Sequence, residues 1–289
     1  MPATLAVAAA AAIALSGQVD TLVTVRPGTE LQVANFAGEV RVLGWDRNAV
    51  RIQTEAPGRQ VVVLKHEDGV LLVKAYSKRT AQQSMDLEFM VPSWMDLDIS
   101  GIHTDVGISG TKGKVRVETV HGDIVVSGGR GQIVLNAVNQ DIHLTDASGT
   151  VVSETVNGDL VLQRIASDSV DVSTVNGEIY YEGTIKDKGV YRLTSHNGDI
   201  AFAMPKGANA VVNVSTFAGE FSSEFPVMLT ETKPGRRFCF TMGTGSAKVE
   251  LESFQGTIEI FRPGSRHPGH DDGDEEDGDS EGNANRDDK

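Results

Sequence analysis

From Val115 onward, apolar and polar residues alternate in short runs that are broken again and again by the same turn. Val115, Val117 and Thr119 lead into one such turn and Ile124 and Val126 lead out of it. One repeat later the same places hold Ile133, Leu135, Ala137, Ile142 and Leu144. Alternation with a period of two marks a strand with one buried face, so each repeat is predicted to hold two strands and two turns. Read across repeats, the buried positions form vertical columns. Val117, Leu135, Ser153, Val172 and Leu193 make one, and Ile124, Ile142, Leu160, Ile179 and Ile200 make another.

The turn itself is written five times: Val120-His121-Gly122-Asp123-Ile124, Val138-Asn139-Gln140-Asp141-Ile142, Val156-Asn157-Gly158-Asp159-Leu160, Val175-Asn176-Gly177-Glu178-Ile179 and His196-Asn197-Gly198-Asp199-Ile200. Weaker copies lie at Gly38, Thr104, Gly219 and Gly256. With the glycine place as origin, positions 104, 122, 140, 158, 177, 198 and 219 are spaced by 18, 18, 18, 19, 21 and 21. A period of this size implies stacked coils, each hydrogen-bonded to the next at about 4.8 Å, because one coil cannot bury its own inner face. The expected fold is therefore all-β, a parallel β-solenoid of the β-helix or β-roll kind with 18–21 residues per coil and an N-terminal β cap. The Asn-Gly pair is expected to supply positive φ in the turn, and the stacked asparagines are expected to form an amide ladder.

These residues resemble a bacterial family of domains of unknown function labelled "putative adhesins". Arg26-Pro27-Gly28, Leu31-Gln32-Val33, Gly38-Glu39-Val40, Trp45 and Val50-Arg51-Ile52 are similar to its opening strands, and Met90-Val91-Pro92 with Leu97-Asp98-Ile99 to its lead into the repeats. Gly243-Thr244-Gly245, Val249-Glu250-Leu251 and Phe254 through Ile260 are similar to its closing coil. The resemblance covers roughly residues 20–262 and implies an exported β-solenoid with no catalytic residues to carry over. Fold by itself does not give function.

Composition agrees: 31 glycines and 6% aromatics suit many tight turns joined by short strands. Residues 3–15 are apolar and are followed by Ser16 and Gly17, which reads as a secretory signal peptide over 1–17 and an extracytoplasmic location, periplasmic or secreted. Residues 18–84, with a hairpin at Val61–Lys65 and Val70–Lys74 around Glu67-Asp68-Gly69, are expected to cap the stack, 85–262 to form the repeats and 263–289 to be an acidic disordered tail. Between Gly219 and Gly256, 37 residues, a longer loop is expected. Residues 271–289 account for −8 of the net charge of −14. An acidic chain without a basic stripe excludes nucleic acid as a partner, and the single Cys239 excludes an internal disulfide and thiolate zinc sites.

For chemistry, the repeat aligns Asp105, Asp123, Asp141, Asp159, Glu178 and Asp199, with Glu220 beyond, in one column. Carboxylates about 5 Å apart must be satisfied. The first reading is that each accepts backbone N–H bonds of its own turn; the alternative is a cation ladder that binds calcium between coils. No other cofactor is implied. All length variation falls on the opposite edge, where Arg130, Arg164, Lys186, Lys188 and Lys206 lie, so a macromolecular or cell-envelope partner is expected there. His103 and His121 are expected to stack on adjacent coils, without a third ligand for a metal. The outward column Val125, His143, Val161, Tyr180 and Ala201 is expected to be partly covered by a loop. No Ser-His-Asp order, phosphate loop or His-Glu-x-x-His motif occurs, so the chain reads as a non-enzymatic binding or structural module. A polysaccharide-processing β-helix is the remote alternative.

Overall fold

The computed structural model describes residues 13–15, 17–56, 60–77, 84–226, 230–233 and 237–264. The expected leader lies mostly, and the acidic tail almost wholly, outside the described residues. Ile13–Leu15 forms a short strand antiparallel to Gln60–Glu67, and Gly17–Thr24 pairs antiparallel with Ala49–Ala56.

Every described element of regular structure is a β-strand. The repeats stack as two parallel ladders, one made of the strands before the marker turn and one of the strands after it. Val117, Leu135, Ser153, Val172 and Leu193 are successive partners in the first, and Ile124, Ile142, Leu160, Ile179 and Ile200 in the second. Both columns are the ones read from the alternation, and all ten side chains are buried. They belong to one continuous apolar core that runs between the ladders from Val23 to Ile260. Ser153 sits in this core without a hydrogen-bond partner.

At both ends the order in space departs from the order in sequence. The coil at 247–261 lies between the coils at 190–203 and 210–223: Leu193 pairs with Leu251, which pairs with Val214, and Ile200 pairs with Ile258, which pairs with Phe221. At the other end Glu30–Trp45 lies between 70–92 and 96–111, with Val40 facing Leu87 on one side and Val106 on the other. Part of the segment expected to cap the stack is thus a coil within it.

Each outermost coil is sealed by antiparallel strands. Val70–Ser77 is covered by Gln60–Glu67, and Leu87–Pro92 by Ala49–Ala56. Ala210–Thr216 is covered by Arg237–Met242, which pairs in turn with Thr230–Lys233. The interval expected to be a loop therefore contains a hairpin; Pro234 and Arg236 lie outside the described residues. The physical reason for both arrangements is the same. A terminal parallel coil exposes unpaired backbone groups, and an antiparallel return strand covers them, after which the chain completes the stack by entering the neighbouring position. The Glu67-Asp68-Gly69 hairpin is present as expected, with φ of 51° at Asp68 and 78° at Gly69.

Candidate functional site: the constant edge of the stack

The marker turns of nine coils line one edge, and each residue of the turn repeats a distinct contact with the coil below. Three places before the glycine, buried hydroxyls donate to the backbone carbonyl at the glycine place of the preceding coil. Thr119 donates to Thr104 O at 3.2 Å, Thr155 to Gln140 O at 3.1 Å, Thr174 to Gly158 O at 3.2 Å, Ser195 to Gly177 O at 3.1 Å and Ser253 to Gly198 O at 3.0 Å. A Ser or Thr three places before the marker glycine is the mark this hydroxyl column leaves in the sequence, which alternation alone does not separate from the apolar lead-in residues.

One place before the glycine runs the amide ladder. Asn157 Nδ2 donates to Asn139 Oδ1 at 2.8 Å, Asn176 to Asn157 at 2.7 Å and Asn197 to Asn176 at 2.8 Å. Below it, Asn139 Nδ2 lies 3.3 Å from His121 Nδ1, within hydrogen-bonding distance. His121 stacks on His103 at 4.9 Å with planes 7° apart, as expected from their spacing.

The glycine serves a different purpose from the one its sequence suggests. Gly122, Gly158, Gly177, Gly198, Gly219 and Gly256 all lack positive φ, and so do the neighbouring asparagines. A Cβ at any of these six glycines would instead sit 1.8–2.2 Å from the carbonyl oxygen at the glycine place of the coil below. Close approach of coil to coil, not turn handedness, demands glycine here.

Asp105, Asp123, Asp141, Asp159 and Asp199 are satisfied across coils, which corrects the expectation that each turn satisfies its own carboxylate. Asp105 Oδ1 accepts from Asp123 N at 3.0 Å, Asp123 from Asp141 N at 3.4 Å, Asp141 from Asp159 N at 2.8 Å and Asp159 from Glu178 N at 2.8 Å. Asp199 accepts from Thr257 N at 2.7 Å, and at the far end Asp86 extends the column by accepting from Glu39 N at 2.9 Å. The N–H of the next coil lies at the height of the carboxylate because the pairing is parallel and in register. Among the described residues no group of three or more His, Cys, Asp or Glu is arranged to hold a metal ion.

Two places before the glycine lies a row that the alternation alone does not mark: Phe36, Ile102, Val120, Val138, Val156, Val175, His196, Phe254 and Phe217, in spatial order. Ile102, Val138, Val156 and Val175 are 37–41% exposed, Phe254 38% and Phe217 53%. At one end His196, Phe254 and Phe217 form a continuous ring stack with centroids 4.8 and 4.7 Å apart. The constant edge therefore carries parallel apolar, amide and acidic columns.

On the variable edge Arg130, Arg164, Lys186, Lys188 and Lys206 are all exposed; Lys186 and Lys188 share the connection between Gly183 and Val190 and the other three lie on other coils. Arg164 is held by Asp146 in a two-pronged pair, both bonds 2.8 Å, and this keeps the Asp146 carboxyl below the usual carboxylate range. Among the described residues the other four form no ion pair. Of the outward column, Val125 is 50% exposed while Ala201 is buried with Ala203, Phe261 and Tyr180 in a small cluster outside the main core. Burial and a hydrogen bond to Glu182 push the Tyr180 hydroxyl up. Cys239 is half-buried.

The chain is thus an all-β protein of mainly parallel, in-register strands with a repeated surface edge. The chain belongs to the Toastrack DUF4097 family, whose model matches residues 73–261, more than half of its length. A solved structure described as "a putative cell adhesion protein from Clostridium sporogenes ATCC 15579" aligns over 85% of this chain and 99% of that one, at 9% identity and a TM-score of 0.25. No curated protein matches the chain. Among the described residues no helix is long and apolar enough to cross a membrane.

Proposed function

We propose that the chain is an exported, non-enzymatic, adhesin-like β-solenoid module of the bacterial envelope that binds a macromolecular partner along its stack. The in-register parallel pairing of one coil on the next supports the solenoid reading. The observation that carries the binding reading is the exposed apolar row on the constant edge, because contiguous apolar surface on a soluble domain marks an interaction site. The test is binding of the purified chain to immobilised envelope fractions, with Val138, Val156 and Val175 each changed to Ser. The triple variant is expected to lose most of the signal, and equal signals would refute a role for this row.

A second reading places the partner on the variable edge, supported by the exposed lysines at 186, 188 and 206 that form no ion pair among the described residues. Reversing all three to Glu separates the two readings, since only the second expects binding to fall.

A further inference from the structure

We propose that the constant edge is a docking strip for a cationic amphipathic helical peptide, a partner class that rests on the binding reading above and goes beyond it. Two columns carry the inference. In the apolar row Ile102, Val138, Val156, Val175, Phe254 and Phe217 are exposed, with the half-buried Val120 and the stacked His196 between them. Beside it runs the acidic column, and the two are three residues apart in every turn, at most about 10 Å of chain. An α-helix with side chains is about 10–12 Å wide, so one helix covers both columns. It would set its apolar stripe on the first and its Lys or Arg flank on the second.

A helix advances about 5.4 Å per turn and the stack about 4.8 Å per coil, so neighbouring helical turns meet neighbouring coils with a slip of about 0.6 Å each, which adds up to one coil over the full length. Nine coils span about 38 Å, the length of roughly 25 helical residues.

The carboxylates are fixed for this contact. Oδ1 of Asp123, Asp141 and Asp159 is anchored by the backbone N–H of the next coil. Among the described residues no hydrogen bond or ion pair reaches their second oxygen. Holding the acids in place removes the ordering cost that weakens surface ion pairs. Charge also selects the occupant. A second copy of the chain would set one acidic column against another, and nucleic acid or an anionic membrane would be repelled.

The test uses the full chain and a fluorescent Leu-Lys amphipathic peptide of about 25 residues, with a Leu-Glu peptide and a Lys-retaining peptide of scrambled Leu positions as controls. Fluorescence anisotropy is expected to show saturable binding of the first peptide alone, weakening as salt is raised. Changing Asp123, Asp141 and Asp159 to Asn keeps the acceptor oxygens that hold the coils together, so the melting temperature should stay near that of the parent. Binding should weaken about tenfold if three ion pairs are lost. The Val138, Val156 and Val175 to Ser variant should also weaken it, and the lysine-reversed variant should not.

Equal binding by the Asn variant and the parent, or no binding by the parent, would overturn the proposal, as would a dimer in sedimentation that the Ser variant abolishes. Absence of peptide binding in a chain that still binds envelope material removes this partner class and leaves the module reading intact.

Discussion

Replacing the marker glycine of one central coil separates two physical explanations of the repeat. At Gly177 an added Cβ would lie 1.9 Å from Gly158 O, a backbone atom that cannot swing away. To reach an ordinary van der Waals separation the two coils must part locally by more than about 1 Å. Three contacts are the first to suffer: Gly158 N to Asn176 O at 3.0 Å, Asn176 N to Val156 O at 2.8 Å and the Asn176 to Asn157 amide rung at 2.7 Å. At about 1 kcal/mol for each bond lost, Gly177→Ala should cost about 3 kcal/mol. Gly177→Asn should cost at least as much, since Asn carries the same Cβ.

If the site instead required positive φ, Asn would be the best-tolerated replacement. Gly207 supplies the opposite control, with φ of +81° and nothing within 4 Å of its added Cβ. There Ala should cost about 1 kcal/mol and Asn less. The assay is urea denaturation followed by circular dichroism and fluorescence, with coincident transitions required before free energies are compared. Tolerance of Asn at position 177, or equal costs of Ala at 177 and 207, would refute the close-approach account.

Breaking the amide ladder in its middle with Asn157→Ala is expected to cost about 0.5–1 kcal/mol in the same assay, because the freed groups are exposed and water replaces the rungs; a cost above that of Gly177→Ala would be inconsistent with a surface ladder. Burial, joined by Glu30, holds the Asp98 carboxyl above its usual range, so its contribution to stability is greatest below the unfolded pKa of about 3.9 and is lost as pH rises through the folded value. Asp98→Asn should therefore stabilise the protein near neutral pH and not near pH ~3, and thermal melts at both values check the sign. Asp146 has the opposite sign, its pairing with Arg164 contributing above the unfolded pKa and vanishing as pH falls through the lowered folded value; Arg164→Gln should return its carboxyl titration, followed by NMR, to the ordinary range. Melts in millimolar calcium and in chelator should superimpose if the acidic column serves backbone N–H groups alone, and a shift of several degrees would establish cation sites between the coils.

Alternation and the spacing of the marker turn were enough to name the ladder partners and the vertical columns of core, amide and acid. These are local properties: alternation assigns each residue to a face, and in-register stacking of an 18-residue period turns sequence spacing into vertical neighbours. The sequence also identified His103 over His121 and the hairpin at Asp68-Gly69, both set by neighbours one coil or one turn away. Which strands lie against which at the two ends could be read only from the assembled fold. A 21-residue step from Gly198 to Gly219 looks like a neighbour, yet Gly256 occupies that place, because spacing counts order along the chain while the ladder is ordered by what best seals an exposed edge. The cause of the marker glycines was hidden for the same reason. An Asn-Gly pair carries a familiar turn preference, whereas the carbonyl that excludes a Cβ belongs to another coil. The exposed row from Ile102 to Phe217 was likewise legible only as strand-leading apolar residues. Their outward direction follows from how the stacked turns carry them past the edge of the core, and that geometry exists only once the coils are assembled.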